Sequence, residues 1–231
     1  MITDIKFNDA EVLMAALADD IAAELRTGLE ARGKASLVVS GGRTPSPFFS
    51  ALSRKHLDWN NIGVTLADER WVASDHPDSN EATVRRSLLQ NDAARAKFVG
   101  LKNAAPDPEQ GEAACETALG ALPLPFDVVV LGMGDDGHTA SLFPQAPQLA
   151  AALDMNSGKR CIGIDPVTAP HARMSLTLPA LLASRRIAVL MTGTGKWDVY
   201  QKARQPGPVE AFPIRSILHQ TQVPVDVYWC P

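Results

Sequence analysis

The segment Gly132-Met133-Gly134-Asp135-Asp136-Gly137-His138 sets an aspartate two residues before a histidine, among glycines. An imidazole titrates near ~6.5 when unperturbed, so His138 is a candidate general base at neutral pH. Whether Asp136 tunes that base or meets a ligand stays open. The same string contains a formal G-x-G-x-x-G. A dinucleotide site is excluded, because Pro144 stops any helix early and two aspartates would repel a pyrophosphate. The glycines instead fold the loop so that His138 faces a cleft.

Three further segments carry groups that hold anions. In Ser40-Gly41-Gly42-Arg43-Thr44-Pro45 the glycines let the backbone approach a ligand, and Thr44 is placed to cap a helix beginning at Pro45. Backbone N–H groups there would cradle a phosphate, although the same string also makes a plain strand-to-helix turn. It is not a nucleotide loop, since the G-K-[ST] ending is missing. Asp68-Glu69-Arg70-Trp71 puts a carboxylate and a guanidinium at a strand end, either facing a cleft or leaving for solvent. Arg173, and Lys196 in Gly193-Thr194-Gly195-Lys196, are cations that would neutralise a phosphate if they converge. Asp75, His76 and Asp78 form a small cluster that a turn explains as well as a metal does. His56, His171 and His219 stand alone in the sequence, and no G-x-S-x-G nucleophile motif is present.

The elements that must position these groups alternate along the chain. Leu13, Leu17, Ile21, Leu25 and Leu29 recur every four residues, one face of a long helix capped by Asn8 or Asp9 and ended by Gly33. Strands are predicted at 35–39, 62–67, 126–131, 160–164, 187–192 and 223–229. Helices are predicted at 45–55, 79–90, 108–119 and 196–203. Buried strands alternating with helices imply an α/β fold: a three-layer α/β/α sandwich around a mostly parallel sheet. Ligands of such folds sit at the carboxyl ends of strands, where the polar segments above fall.

Composition narrows the classes. The 231 residues read as one domain, 1–231, with a sizeable core. Lys+Arg 22 against Asp+Glu 26 gives −4, so no global basic field calls for nucleic acid or anionic lipid. No apolar run of ~18 residues predicts a membrane span, and the N-terminus has no signal-peptide pattern. Cys115, Cys161 and Cys230 are far apart, which argues against a disulfide framework or structural zinc and fits a reducing, cytoplasmic setting.

Taken together, SGGRTP at Ser40, ADERWV at Ala67, HPDSN at His76, GMGDDGHTASLFP at Gly132, ARMSLTLPAL at Ala172 and TGTGK at Thr192 resemble the 6-phosphogluconolactonase family. That family lies within a larger group that includes glucosamine-6-phosphate isomerase/deaminase. The resemblance implies an isomerase/CoA-transferase-like sandwich and hydrolysis of 6-phospho-D-glucono-1,5-lactone to 6-phospho-D-gluconate, a small sugar-phosphate substrate. It implies no metal and no organic cofactor. By resemblance His138 is the base, Asp136 the active-site aspartate of its loop, and Asp68 and Arg70 a charged pair lining the site. Ser40, Gly41, Gly42 and Thr44 match the phosphate loop, and Arg173 and Lys196 its cationic contacts. Phe143 stands where isomerase/deaminases typically carry glutamate, which favours lactone hydrolysis over amine chemistry. Two other readings share the fold: an isomerase or deaminase, and a non-catalytic sugar-phosphate sensor.

Overall fold

The computed structural model describes residues 2–231. The strands are β1 (Ile2–Lys6), β2 (Ala35–Val39), β3 (Ile62–Leu66), β4 (Asp68–Arg70), β5 (Lys97–Val99), β6 (Val128–Gly132), β7 (Cys161–Ile164), β8 (Arg173–Leu176), β9 (Ile187–Thr192) and β10 (Val225–Cys230). The helices are α1 (Ala10–Arg32), α2 (Ser46–Leu52), α3 (Asn80–Ser87), α4 (Pro108–Leu119), α5 (Leu149–Leu153), α6 (Leu178–Leu182), α7 (Thr194–Arg204) and α8 (Arg215–Leu218).

The four-residue apolar repeat of α1 does what its spacing requires: Leu13, Leu17, Ile21 and Leu25 are fully buried. Each such side chain contributes about 1.5–3 kcal/mol on burial. Asp9, not Asn8, caps the start by accepting from the Val12 N–H at 3.0 Å. Gly33 closes the end at φ 68°, the left-handed conformation glycine adopts without strain.

Seven strands form one sheet in the order β1-β10-β9-β6-β2-β3-β5, and every neighbouring pair is parallel. From β2 the chain steps outward to β3 and β5. It then returns to β6 on the other side of β2 and moves away to β9 and β10. Right-handed crossovers therefore place α2 and α3 on one face and α7 on the other, giving the three layers. The direction reverses between β2 and β6, and a crevice opens there at the carboxyl ends of the strands. The loops after β9, β6, β2 and β3 lie side by side along that edge.

A second sheet, β4-β8-β7, is antiparallel and was not anticipated. Its origin is at Ala67, whose carbonyl accepts from Leu176 N–H at 2.8 Å, so the chain leaves β3 and continues directly as β4. Three charged residues in a row carry no strand signal of their own; pairing with β8 makes them one. The edge strands β1 and β5 were also missed. The helix expected from Pro45 begins at Ser46, and Thr44 does not cap it: Pro45 holds the cap position without a side-chain hydrogen bond. No described helix is long and apolar enough to cross a membrane.

Candidate active site

A cleft of about 370 Å³ opens at the reversal point. Ser40, Gly41, Gly42, Thr44, Asp68, Arg70, His138, Arg173 and Lys196 all line it, so distant sequence segments meet in one place. Asp136 does not line the cleft; it lies against His138. Arg43, Asn80 and Phe143 line it as well.

The loop after β2 is short because α2 must pack on α1 and α3 immediately beyond it. Gly42 takes φ 98°, which turns the chain sharply. The N–H groups of Gly41, Gly42, Arg43 and Thr44 donate to no protein acceptor among the described residues. Successive unpaired amides of this kind form an anion cradle. The donors belong to the loop itself and not to the seven-residue helix that follows. Ser40 ties the cradle to the next strand: its N–H donates to Val130 at 2.9 Å, and its Oγ accepts from Gly132 N–H at 3.3 Å.

The loop after β6 folds onto itself. Gly134 N–H donates to the His138 carbonyl at 2.9 Å, and Gly137 N–H to the Gly134 carbonyl at 3.0 Å. A Cβ on Gly134 would lie 2.2 Å from the imidazole, so glycine there is the space the ring occupies. His138 Nδ1 lies 2.5 Å from Asp136 Oδ1, which also accepts from the His138 N–H at 3.1 Å. Burial pushes the Asp136 carboxyl up, but the hydrogen bond and charge of His138 outweigh it and hold the group below its ordinary value. An ionised Asp136 accepts only, so Nδ1 carries a proton, and in the neutral ring the lone pair is on Nε2. Phe143, 3% exposed, packs its ring 4.2 Å from the imidazole and keeps water from that side.

The opposite wall is charged. Asp68 is buried; its Oδ2 accepts from Ser141 Oγ at 2.5 Å and its Oδ1 from Asn80 Nδ2 at 3.3 Å. Arg173 packs its guanidinium 5.7 Å from the Phe143 ring centroid and donates to the Pro170 carbonyl at 3.0 Å. Burial lowers its pKa; the charge of Asp68 opposes this and the like charge of Arg70 adds to it. Arg70 donates to the Asp78 carbonyl, and Lys196 reaches the cleft from the first turn of α7. The buried side-chain atoms left without a partner are Arg70 Nε, Arg173 Nε and Asn80 Oδ1, among the described residues, and all belong to cleft-lining residues.

Sequence reading missed the support behind this wall. Glu69 is fully buried and takes hydrogen bonds from the N–H groups of Arg70, Asn80 and Glu81 and from Ser79 Oγ. A carboxylate ten residues before a Ser-Asn helix start was the available signal. His171 is not isolated: its Nε2 meets Asp78 Oδ2 at 3.0 Å, and its ring lies edge-on to His76. His56 likewise pairs with Asp92. No group of three or more His, Cys, Asp or Glu side chains converges as a metal-binding set among the described residues.

A parallel sheet with a switch-point cleft, an anion cradle and a carboxylate-held imidazole defines an α/β protein built to act on a small anionic substrate. Residues 8–229 match the family described as glucosamine-6-phosphate isomerases/6-phosphogluconolactonase, and the chain belongs to that family. It is 45% identical to the 6-phosphogluconolactonase of Pseudomonas putida, covering 96% of this chain and 90% of that one. It is 43% identical to that of Pseudomonas aeruginosa, covering 93% and 89%. The crystal structure of a 6-phosphogluconolactonase from Shewanella baltica superposes with a TM-score of 0.98 at 46% identity, covering 100% of this chain and 98% of that one.

Proposed function

We propose that this chain, acting as one domain in the cytoplasm, hydrolyses 6-phospho-D-glucono-1,5-lactone to 6-phospho-D-gluconate in the pentose phosphate pathway. The observation that carries the reading is His138, held by Asp136 and lining the same cleft as the run of unpaired amides at 41–44.

A δ-lactone is an activated ester, and a positioned water with a base is sufficient to open it. His138 Nε2 takes a proton from water as its oxygen bonds to C1. Negative charge then gathers on the C1 oxygen, where nearby donors stabilise it. Collapse of the tetrahedral centre breaks the bond from C1 to the ring oxygen, and the imidazolium returns its proton to that oxygen. Asp136 holds the ring tautomer throughout. The phosphate rests on the loop of Ser40, Gly41, Gly42 and Thr44, with Arg70, Arg173 and Lys196 supplying positive charge. Grip on that remote group orients C1 without changing during the reaction. Asp68 sets a counter-charge beside Arg173 and anchors Asn80.

The test is a coupled assay on freshly made lactone, read as rate above spontaneous hydrolysis. Wild type is expected to accelerate ring opening, His138→Ala to lose most of the acceleration, and neither to release ammonia from glucosamine 6-phosphate. A wild-type rate equal to the spontaneous one overturns the proposal. So does ammonia release without lactone hydrolysis.

A further inference from the structure

We infer that Asn80 is a specificity-determining residue whose side-chain carbonyl accepts a hydrogen bond from a ring hydroxyl of the sugar substrate. The inference rests on the lactonase reading for the identity of the sugar, and on geometry for the rest.

Asn80 is held at both ends. Its N–H donates to Glu69 Oε1 at 2.7 Å, which fixes the first residue of α3. Its Nδ2 donates to the Asp68 carbonyl at 2.8 Å and to Asp68 Oδ1 at 3.3 Å. Both partners are acceptors, so the amide has one sensible orientation: Nδ2 toward Asp68, Oδ1 away from it. That oxygen is buried and has no partner, in a residue 2% exposed that lines the cleft. It lies directly against the phosphate loop, where a Cβ on Gly41 would come within 2.1 Å of it. Glycine at 41 is thus the condition for Asn80 to reach this place.

A buried acceptor left unpaired is costly, and a donor that reaches it recovers that cost. The other unpaired buried atoms of the cleft, Arg70 Nε and Arg173 Nε, are donors and call for an anion. Asn80 Oδ1 calls for the opposite. It repels phosphate oxygens and welcomes an O–H. A polyhydroxylated sugar phosphate supplies both chemistries at once, with its phosphate on the amides and cations and a hydroxyl on Asn80.

The experiment compares the 2-, 3- and 4-deoxy analogues of the phosphorylated lactone with the parent, in wild type and in Asn80→Leu. Calorimetric binding of the corresponding open-chain phosphorylated acids runs alongside. Wild type is expected to lose about 10- to 100-fold in kcat/KM, and similarly in affinity, for one deoxy analogue. Asn80→Leu is expected to bring the parent down to the level of that analogue, so the discrimination disappears. Equal handling of all three analogues by wild type overturns the inference, and needs no variant to fold. Discrimination that survives in a folded Asn80→Leu also overturns it. Failure of the lactonase reading looks different: the parent lactone shows no enzymatic rate, while the calorimetric comparison still reports on Asn80.

Discussion

Arg70 and Arg173 are register partners in the antiparallel pair of β4 and β8, so their side chains leave the small sheet on the same side. Like charges set directly opposite destabilise a ladder. Here each guanidinium also keeps a buried, unpaired Nε. A dianion bound between them would convert that repulsion into attraction, which is the phosphate role proposed for this wall. Arg173→Met is expected to raise KM about 10- to 100-fold, the weight of a charge-assisted hydrogen bond, with little change in kcat. Its thermal midpoint is expected to fall, because the buried Asp68 loses a counter-charge whose attraction outweighs the repulsion from Arg70. An unchanged KM would remove Arg173 from the phosphate site.

Asp136 bears on the imidazole in a way that a swap to Asn80-like chemistry would undo. Asp136→Asn places an amide against Nδ1, and its NH2 stabilises the tautomer with the proton on Nε2, which is no base. The expected result is a fall in kcat of about 100-fold or more with KM nearly unchanged, measured on fresh lactone. Retained kcat would show that His138 works without its carboxylate.

The same carboxylate makes a linkage prediction. Burial raises its pKa, and the hydrogen bond and charge of His138 lower it further than that, so the folded value lies below the reference 3.8. A depressed acid contributes stability that is complete above 3.8 and is lost as pH falls through the folded value. Its side chain is 38% exposed, so screening limits the contribution to under about 1 kcal/mol. Asp136→Asn is therefore expected to lower the urea midpoint slightly near pH ~7, with the gap closing as pH falls below 3.8 through the folded value. A gap of constant size across that range would make the effect one of packing, not charge.

The main sheet was legible because its strands are buried on both faces and read as continuous apolar runs, as in Val128 to Leu131. Loops at the ends of such runs could be placed on one edge from the parallel arrangement alone. The small sheet was not legible. Asp68, Glu69 and Arg70 become strand only through partners more than a hundred residues away, Ser175, Met174 and Arg173. Glu69 looked like part of a polar exit into solvent, yet it is fully buried, because the donors that satisfy it come from the start of α3. His171 seemed isolated for the same reason: Asp78 reaches it only through the fold. Residue types named the chemistry of the cleft; long-range hydrogen bonds decided which charges stand behind it.

Glu69 offers the opposite pH signature to Asp136. Its Oε1 accepts from Arg70 N–H and Asn80 N–H, each at 2.7 Å, and its Oε2 from Ser79 Oγ at 3.0 Å and Glu81 N–H at 2.8 Å. Burial nevertheless prevails over these hydrogen bonds and raises its pKa above 4.5. Glu69→Gln replaces one acceptor oxygen with an NH2 that faces donors, at a cost of about 1–3 kcal/mol for each donor left unpaired. For a raised acid the unfolded chain ionises first, so wild-type stability falls as pH rises from 4.5 through the folded value and then levels. The Gln variant lacks that slope. The stability difference between them is therefore expected to be largest near pH ~4 and smaller near pH ~7, read from urea midpoints across the range. A difference that grows toward neutral pH would mean that the four donors outweigh burial. Because the Glu69 carboxylate also fixes the Asn80 backbone and the turn into Arg70, the variant is expected to raise KM as well, while His138, on a separate loop, keeps its pH–rate profile.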